Sequence, residues 1–522
     1  MSRGLGDVYK RQTLKCEIIA INDFVASTGH DINYMINPSL YQINTRVWLN
    51  KLSQKFGCRI TLDNIPDDEL DQIANIGFDW VYFLGVWQTG IMGQEISRTN
   101  LGWRKEAMEL FGDEFQEDYI CGSCFAITAY HIHENLGSNA AILRLGDRLH
   151  QRGLKLILDF VPNHTALDHS LVQTNPDFYI QGTQGDLERE PHNYIEVELP
   201  SGSQIFAHGR DPYFPGWPDT LQLNYGNPKL QEAMLAKLFN ITHLCDGVRC
   251  DMAMLILPDI FEHTWGIPMQ PFWADAISQI KQQYPDFIFM GEVYWNLEWE
   301  LQQLGFDYTY DKRLYDRLRA QQATPVREHL YASIDFQSKL ARFMENHDEP
   351  RANAAFPSRV HQAAAILTYF TPGLRFFHQG QLQGWSQKIS MHLCYAPQQT
   401  TVRNLERFYH QLLDCLALDI VREGNWQLLV CVPAWEGNFT WNNFIAFTWE
   451  GKDERLLLII VNYASEQGQC YILLPFESLR GEKYRLQDLM SDISYDRLGD
   501  KLISRGLYLD LPAWGYHIFD IS

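Results

Sequence analysis

The 522-residue sequence has no apolar run approaching the roughly 18–20 residues of a membrane-spanning helix. It also lacks an N-terminal apolar stretch followed by a small-residue cleavage site. Lys and Arg form no cluster, and 43 of them against 64 Asp and Glu leave a formal charge of −21. Nucleic acid and anionic membrane are therefore poor partners, since both need clustered positive charge. Nucleotide-binding loops (G-x-x-x-x-G-K-[ST], G-x-G-x-x-G), the G-x-S-x-G serine elbow and H-E-x-x-H are all missing, which removes the usual nucleotide, serine-hydrolase and zinc-protease readings. The 10 cysteines are scattered rather than spaced as a disulfide framework, so a reducing, cytoplasmic location is expected. Cys121 and Cys124 form a lone C-x-x-C with no second pair at zinc spacing, and packing is the expected role.

What is present is aromatic and periodic. Aromatics make up 13% of residues, among them 15 Trp and 29 Phe, enough for a large core or for surfaces that stack on flat apolar rings. Eight short runs rich in β-branched and aromatic residues recur, at 41–49, 80–86, 154–161, 247–251, 287–293, 306–310, 340–346 and 375–380. Several are continuously apolar, as parallel strands buried on both faces are. Helix signals lie between them: Ile142, Leu145 and Leu149 share a face before Gly153, and Asn227-Pro228 supplies a cap and first-turn proline. Strand then helix, repeated eight times, is the sequence form of an α/β fold of the (β/α)8 TIM-barrel type, with a doubly wound open sheet as the alternative.

Two long excursions interrupt the rhythm, at 87–125 and at 165–226, the second an insertion after strand three. After about residue 420 the pattern turns to β-runs separated by turn residues, the mark of an all-β sandwich. The expected organisation is an N-terminal extension at 1–34, a barrel at 35–420 including the insertion 165–226, and a β-sandwich at 421–522. The first twelve residues, MSRGLGDVYKRQ, resemble translated sequencing-adapter sequence and are set apart from the fold.

Carboxylates sit at the carboxyl ends of the expected strands: Asp159, Asp251, Glu292 and Asp348. In a barrel these ends converge on one mouth. Paired carboxylates there can divide the work of glycoside cleavage, one ionised as nucleophile and one protonated as acid. Arg249 lies two residues before Asp251 on the same strand face and is expected to hold it ionised. His164 and His347 flank the acidic positions as candidate ligand contacts.

The segments LDFVPNH (158–164), DGVRCD (246–251), MGEV (290–293) and MENHDEPR (344–351) resemble, in order, the four signature regions of the α-amylase superfamily, glycoside hydrolase family 13. The resemblance implies a retaining α-glycosidase. Asp251 would be the nucleophile, Glu292 the general acid and then base, and Asp348 the group that orients ring hydroxyls. Arg249, His164 and His347 would complete the innermost sugar site, Phe125 would take the place of its stacking tyrosine, and Asp159 would hold Arg249 from behind. Asn163 stands where many members bind structural calcium, but no convincing further ligand is seen and no metal is expected. Met254 and Leu255 replace a Lys-His pair that binds the acceptor-side sugar in many amylases. A preference for short α-glucosides or oligosaccharides over starch is therefore expected. A transglycosidase with a sugar acceptor and, less favoured, a non-catalytic carbohydrate-binding or partner subunit are the competing functions. The oligomeric state is not encoded in any motif.

Overall fold

The computed structural model describes residues 37–200, 202–452 and 455–522. The expected extension at 1–34 lies outside the described residues. Eight parallel strands close a barrel: β1 (Ser39–Asn44), β2 (Trp80–Leu84), β3 (Lys155–Phe160), β4 (Gly247–Cys250), β5 (Ile288–Gly291), β6 (Tyr308–Tyr310), β7 (Leu340–Phe343) and β8 (Leu374–His378). Each strand is hydrogen-bonded to the next in sequence, and β8 returns to β1. All eight expected runs form strands, so the open-sheet alternative falls. β2 shows why the runs are apolar throughout, for all five of its residues are buried.

The first run was expected to stay extended to residue 49, and here the structure differs. The strand stops at Asn44, whose side chain accepts from the Val47 backbone N–H, and residues Thr45–Phe56 are helical. An N-cap satisfies a helix end that a β-branched composition would otherwise disfavour. The other helix signals hold. Asn139–His150 starts at Ser138, and Pro228–Thr242 starts at Asn227.

The insertion after β3 forms a two-stranded ribbon (His164–Ala166 with Thr220–Gln222) and a hairpin (Tyr194–Leu199 with Gly202–Ala207). The excursion after β2 carries two helices, Ile91–Thr99 and Leu101–Phe111. Both excursions leave from the carboxyl ends of their strands and so rise over the mouth of the barrel.

The C-terminal region is a β-sandwich of a six-stranded sheet and a three-stranded one. Its expected start at 421 falls inside the short helix Asp419–Glu423. The larger sheet is a middle layer. Phe444, Leu456, Leu458 and Ile460 face the smaller sheet's Cys470, Ile472 and Leu509, while Ile445, Phe447, Trp449, Leu457 and Ile459 join the barrel's core. Side chains alternate across a strand, so Phe444–Glu450 and Leu456–Asn462 must be apolar on both faces. Two polar ties fix the contact: the Trp449 indole N–H donates to the Phe370 carbonyl and the Tyr463 hydroxyl to the Leu318 carbonyl, at 2.8 and 2.7 Å.

Candidate functional site

The barrel register decides the floor of the site. Arg249 on β4 lies opposite Asp159 on β3, and its side chain, wholly buried, points up the barrel. One terminal nitrogen, Nη1, meets Asp251 Oδ1 at 2.6 Å, and the other, Nη2, meets Glu292 Oε2 at 2.7 Å. Asp159 stands 3.8 Å behind Nη1, an ion pair without a hydrogen bond. Its own carboxylate is fixed by the Tyr82 hydroxyl and by the Gly85 N–H, the latter at 2.7 Å. Gly85 has φ +73, and a side chain there would strike Cys124. The position thus needs glycine on both counts.

Each carboxylate is placed by a local backbone device. Asp251 and Glu292 immediately follow β4 and β5. After Asp251 the chain turns at Met252 with φ +43, and the Met252 N–H donates to Glu292 Oε2 at 2.8 Å. Tyr294 donates its hydroxyl to Glu292 Oε1 at 2.8 Å. Trp295 and Asn296 then take φ +61 and +67. Three non-glycine residues in this sparsely populated region, all beside the two carboxylates, mark a backbone held in place by its surroundings. Asp348 is set by Asn346, whose side chain accepts from the N–H groups of Asp348 and Glu349.

Above this floor lies a cavity of about 390 Å³ bordered by Phe125, His164, Asp251, Glu292, His347 and Asp348. The sequence had proposed all six. Phe125 sits 5.1 Å from the Arg249 guanidinium carbon and 5.3 Å from the His347 ring. Arg249 does not border the cavity. Expected as a direct sugar contact, it lies beneath Asp251 and Glu292, with one terminal nitrogen on each.

Further cavity residues went unseen in the sequence: Trp103, Trp217, Asp219, Met252, Tyr294 and His392. Trp103 stacks on His392 at 3.8 Å, and Trp217 packs 5.2 Å from His164. Both indoles come from the long excursions, Trp103 from the helix Leu101–Phe111 and Trp217 from irregular chain. The DPYFPGWPDT stretch, with its turn residues and aromatics, was the available signal for Trp217 and Asp219. Met254 and Leu255 had been placed on the acceptor side, and the structure corrects this. The turn at Met252 sends them into the helical turn Ala253–Ile256, fully in the core, and Met252 with Tyr294 takes the wall instead.

The electrostatics follow from burial around one cation. Burial pushes the Asp251 carboxyl up, against the pull of Arg249, and Asp348 adds to the rise. Burial likewise raises Glu292, opposed by Arg249 and reinforced by Asp251 and Asp348. Asp348 is raised by burial against Arg249 and Lys388. The expectation that Arg249 holds Asp251 below the ordinary carboxylate range is therefore corrected: one guanidinium shared among several buried carboxylates cannot offset the loss of water for all of them. The set titrates as a unit and keeps a proton to higher pH than isolated carboxyls do. Asp219 is raised by burial to about 6, and its Oδ2 has no protein partner.

Burial also keeps the histidines neutral. It lowers His164 to about 4 and His347 well below the usual imidazole range. The Gln42 amide lies 3.1 Å from His347 Nδ1, which assigns the ring proton to Nε2, 3.1 Å from Asp348 Oδ2. His164 Nε2 has no protein partner and borders the cavity.

The residues around Asn163 do not suit calcium. Both its oxygens accept from the same Gln222 amide nitrogen at 3.0 Å. A hard dication needs several oxygens, carboxylates among them, and an amide N–H pair already occupies these two. Among the described residues no group of three or more His, Cys, Asp or Glu side chains could hold a metal.

A carboxylate triad beyond the ends of β4, β5 and β7 of a closed barrel, over a buried arginine, is a specific pattern, and comparison with known proteins agrees with it. Residues 123–408, more than half the chain, match the family model "Alpha amylase, catalytic domain". The chain belongs to the α-amylase family. The matched region begins beyond β2, so the first two barrel strands come from sequence that the family model does not cover. Alpha-amylase 3 of Dictyoglomus thermophilum is 25% identical over 276 residues, 48% of this chain and 52% of that one. The trehalose synthase/amylase TreS of Mycolicibacterium smegmatis is 25% identical over 254 residues, 42% of this chain and 41% of that one. The chain thus spans about half the length of these curated relatives, or less. Among solved structures, the maltogenic α-amylase AmyB of Thermotoga neapolitana superposes with a TM-score of 0.66 over 92% of this chain and 98% of that one, at 17% identity. That likeness concerns the fold. No helix among the described residues is long and apolar enough to cross a membrane.

Proposed function

We propose that this α-amylase-family protein is a retaining glycosidase that cleaves α-glucosidic bonds of short oligosaccharides by double displacement. The observation that carries the reading is the Arg249 fork, which holds Asp251 and Glu292 on its two terminal nitrogens. Two carboxylates on one guanidinium suit the separation of about 5–5.5 Å used by retaining enzymes.

In the first step Asp251 attacks the anomeric carbon. Glu292, protonated because burial favours its neutral form, gives its proton to the departing oxygen. In the second step Glu292, now ionised, takes a proton from water, which releases the sugar from Asp251. Asp348, with neutral His347 and His164, binds ring hydroxyls, and Phe125 offers an apolar face. Arg249 steadies the negative charge left on Asp251 or Glu292, and Asp159 steadies Arg249.

The cavity's size and lining support this substrate class. At about 390 Å³ it is near the small end of ligand pockets, about 300–1,000 Å³. Four carboxylates border it with no Lys or Arg, so neutral sugars are favoured over phosphorylated ones. A second hollow, about 460 Å³, shares the Met252 and Tyr294 wall and holds Trp295 and Asn296. It offers room for the leaving portion or, in the second reading, for a sugar acceptor that replaces water. Free thiols at every described cysteine are consistent with a reducing, cytoplasmic setting.

The test is proton NMR of fresh digests of a maltooligosaccharide series and of soluble starch, with and without added glucose. The α-anomer should appear first, and kcat/KM should favour the short chains. A β-anomer appearing first would refute double displacement. New oligosaccharides formed with added glucose would favour the transglycosidase reading.

A further inference from the structure

A second cavity, of about 510 Å³, opens beside the carboxylate site and serves none of the chemistry above. Arg46, Thr89, Cys121, His133 and Cys394 are among its walls. Its geometry starts from an isolated antiparallel bridge between Ile120 and Leu393. Those two side chains enter a small apolar cluster with Ala107 and Phe111. Alternation then turns the next residue of each segment, Cys121 and Cys394, to the opposite face. Both residues are partly exposed, and each sulfur donates to the backbone of the other's segment: Cys121 Sγ to the His392 carbonyl and Cys394 Sγ to the Tyr119 carbonyl, each at 3.5 Å.

Arg46 completes the group. It is buried, and Nη1 donates to Cys121 Sγ at 3.4 Å and to the Gly122 carbonyl at 3.1 Å, while Nη2 donates to Thr89 Oγ1 at 3.1 Å. Burial opposes this charge, and the groups that support it most are Cys121, Cys124 and Cys394. A buried cation without a carboxylate is stabilised by a thiolate. We propose that Cys121 and Cys394 are a hydroperoxide-reactive thiol pair that closes to a disulfide across this cavity.

The neighbouring Cys394 lowers the Cys121 thiol, burial opposes it, and Arg46 lowers it further; Cys394 is raised correspondingly. The other charged or titratable groups facing the cavity are Asp118, Glu134, Arg59, His133 and Tyr395. His133 and, behind Cys121, His392 are each lowered to about 4 by burial and are neutral near pH 7. Arg46 is thus the cation that acts on the sulfur directly.

The chemistry balances as follows. The Cys121 thiolate attacks the outer oxygen of a hydroperoxide; an S–O bond forms, the O–O bond breaks, and the alkoxide or hydroxide leaves and takes up a proton. Cys394 then attacks the Cys121 sulfenic acid. The S–S bond forms, hydroxide departs, and it leaves as water with the Cys394 proton. Two thiols are oxidised and one peroxide is reduced. The lone C-x-x-C spacing suggested Cys124 as the partner, but Cys124 is buried against Gly85 and faces away from this cavity. The fold supplies the partner from the loop beyond β8.

The bond would also tie together two loops that border the carboxylate cavity, one through Ser123 and Phe125, the other through Met391 and His392.

The experiment uses the full-length reduced protein, treated with hydrogen peroxide and mapped by non-reducing peptide mass spectrometry. A Cys121–Cys394 peptide lighter by two hydrogens should appear before the exposed Cys58 is oxidised. Pairing of Cys121 with Cys124, prior oxidation of Cys58, or no bridge at all overturns the proposal. In Cys394→Ser, dimedone should trap a sulfenic acid on Cys121; an untrapped, unmodified Cys121 there would also overturn it.

Discussion

Arg249 on β4 reaches Asp251, the residue just past the strand's end, at 2.6 Å, so strand alternation carried one residue further brings cation and carboxylate to one face. The pair supports the first prediction. Asp251→Asn keeps the shape and one acceptor oxygen but offers no anion to the anomeric carbon. Turnover of an aryl α-glucoside should fall on the order of 10⁴-fold or more. The thermal midpoint should change little, because one charge leaves a crowded carboxylate set. Near-normal turnover would end the nucleophile assignment.

Tyr294 gives the second. Its hydroxyl donates to Glu292 at 2.8 Å, and a donor to a carboxylate favours the ionised form. Tyr294→Phe removes it, so the Glu292 carboxyl should hold its proton to higher pH. The alkaline limb of the kcat/KM profile should move up in pH. The same variant should lose about tenfold in kcat, the effect of roughly 1.5 kcal/mol for a hydrogen bond to a charged group. A limb that stays in place would show that another group controls it.

The third concerns acid stability. Burial alone would raise Asp311, but His329 and Arg342 outweigh it and hold the carboxyl at about 2. A folded-state value below the unfolded one, about 3.9, means stability that is present above pH 4 and lost as pH falls from about 4 toward 2. Asp311→Asn strips Arg342 and His329 of their carboxylate and should cost about 3–5 kcal/mol at neutral pH. Melting curves should show the loss shrinking as pH falls through that window. An unchanged gap at pH 3 would contradict the linkage.

Trp449 supplies the fourth. Its indole is buried between the large β-sheet and the barrel and donates to Phe370. Trp449→Ala should destabilise by about 3–5 kcal/mol and lower the thermal midpoint of the whole protein in a single transition. Two separate transitions would mean that the barrel and the sandwich melt independently.

The barrel was legible because its strands, buried on both sides, leave unbroken apolar runs. The triad was legible because strand ends must meet at one mouth. Elsewhere the sequence spoke less clearly. Thr45–Leu49 reads as β until the Asn44 cap is seen to close a helix over it. Met254 and Leu255 seemed to border the ligand because they follow Asp251, yet a single left-handed residue, Met252, turns them into the core. Trp103 lies on a helix of a long excursion and Asp219 in an irregular segment, and which residues of either meet the cavity depends on distant packing. The sign of the Asp251 shift could not be read either, since an adjacent arginine is visible in a sequence and the loss of water is not.

The large β-sheet, apolar on both faces, has a bearing on how this chain can be divided. A fragment ending at helix Asp419–Glu423 would leave the barrel surface around Leu318 and Phe370 wet. The severed remainder would show Ile445, Phe447 and Ile459 to solvent. Neither portion has a finished exterior, so grafting this barrel onto another scaffold, or exchanging its sandwich for a stranger's, would demand a redesigned seam rather than a new linker.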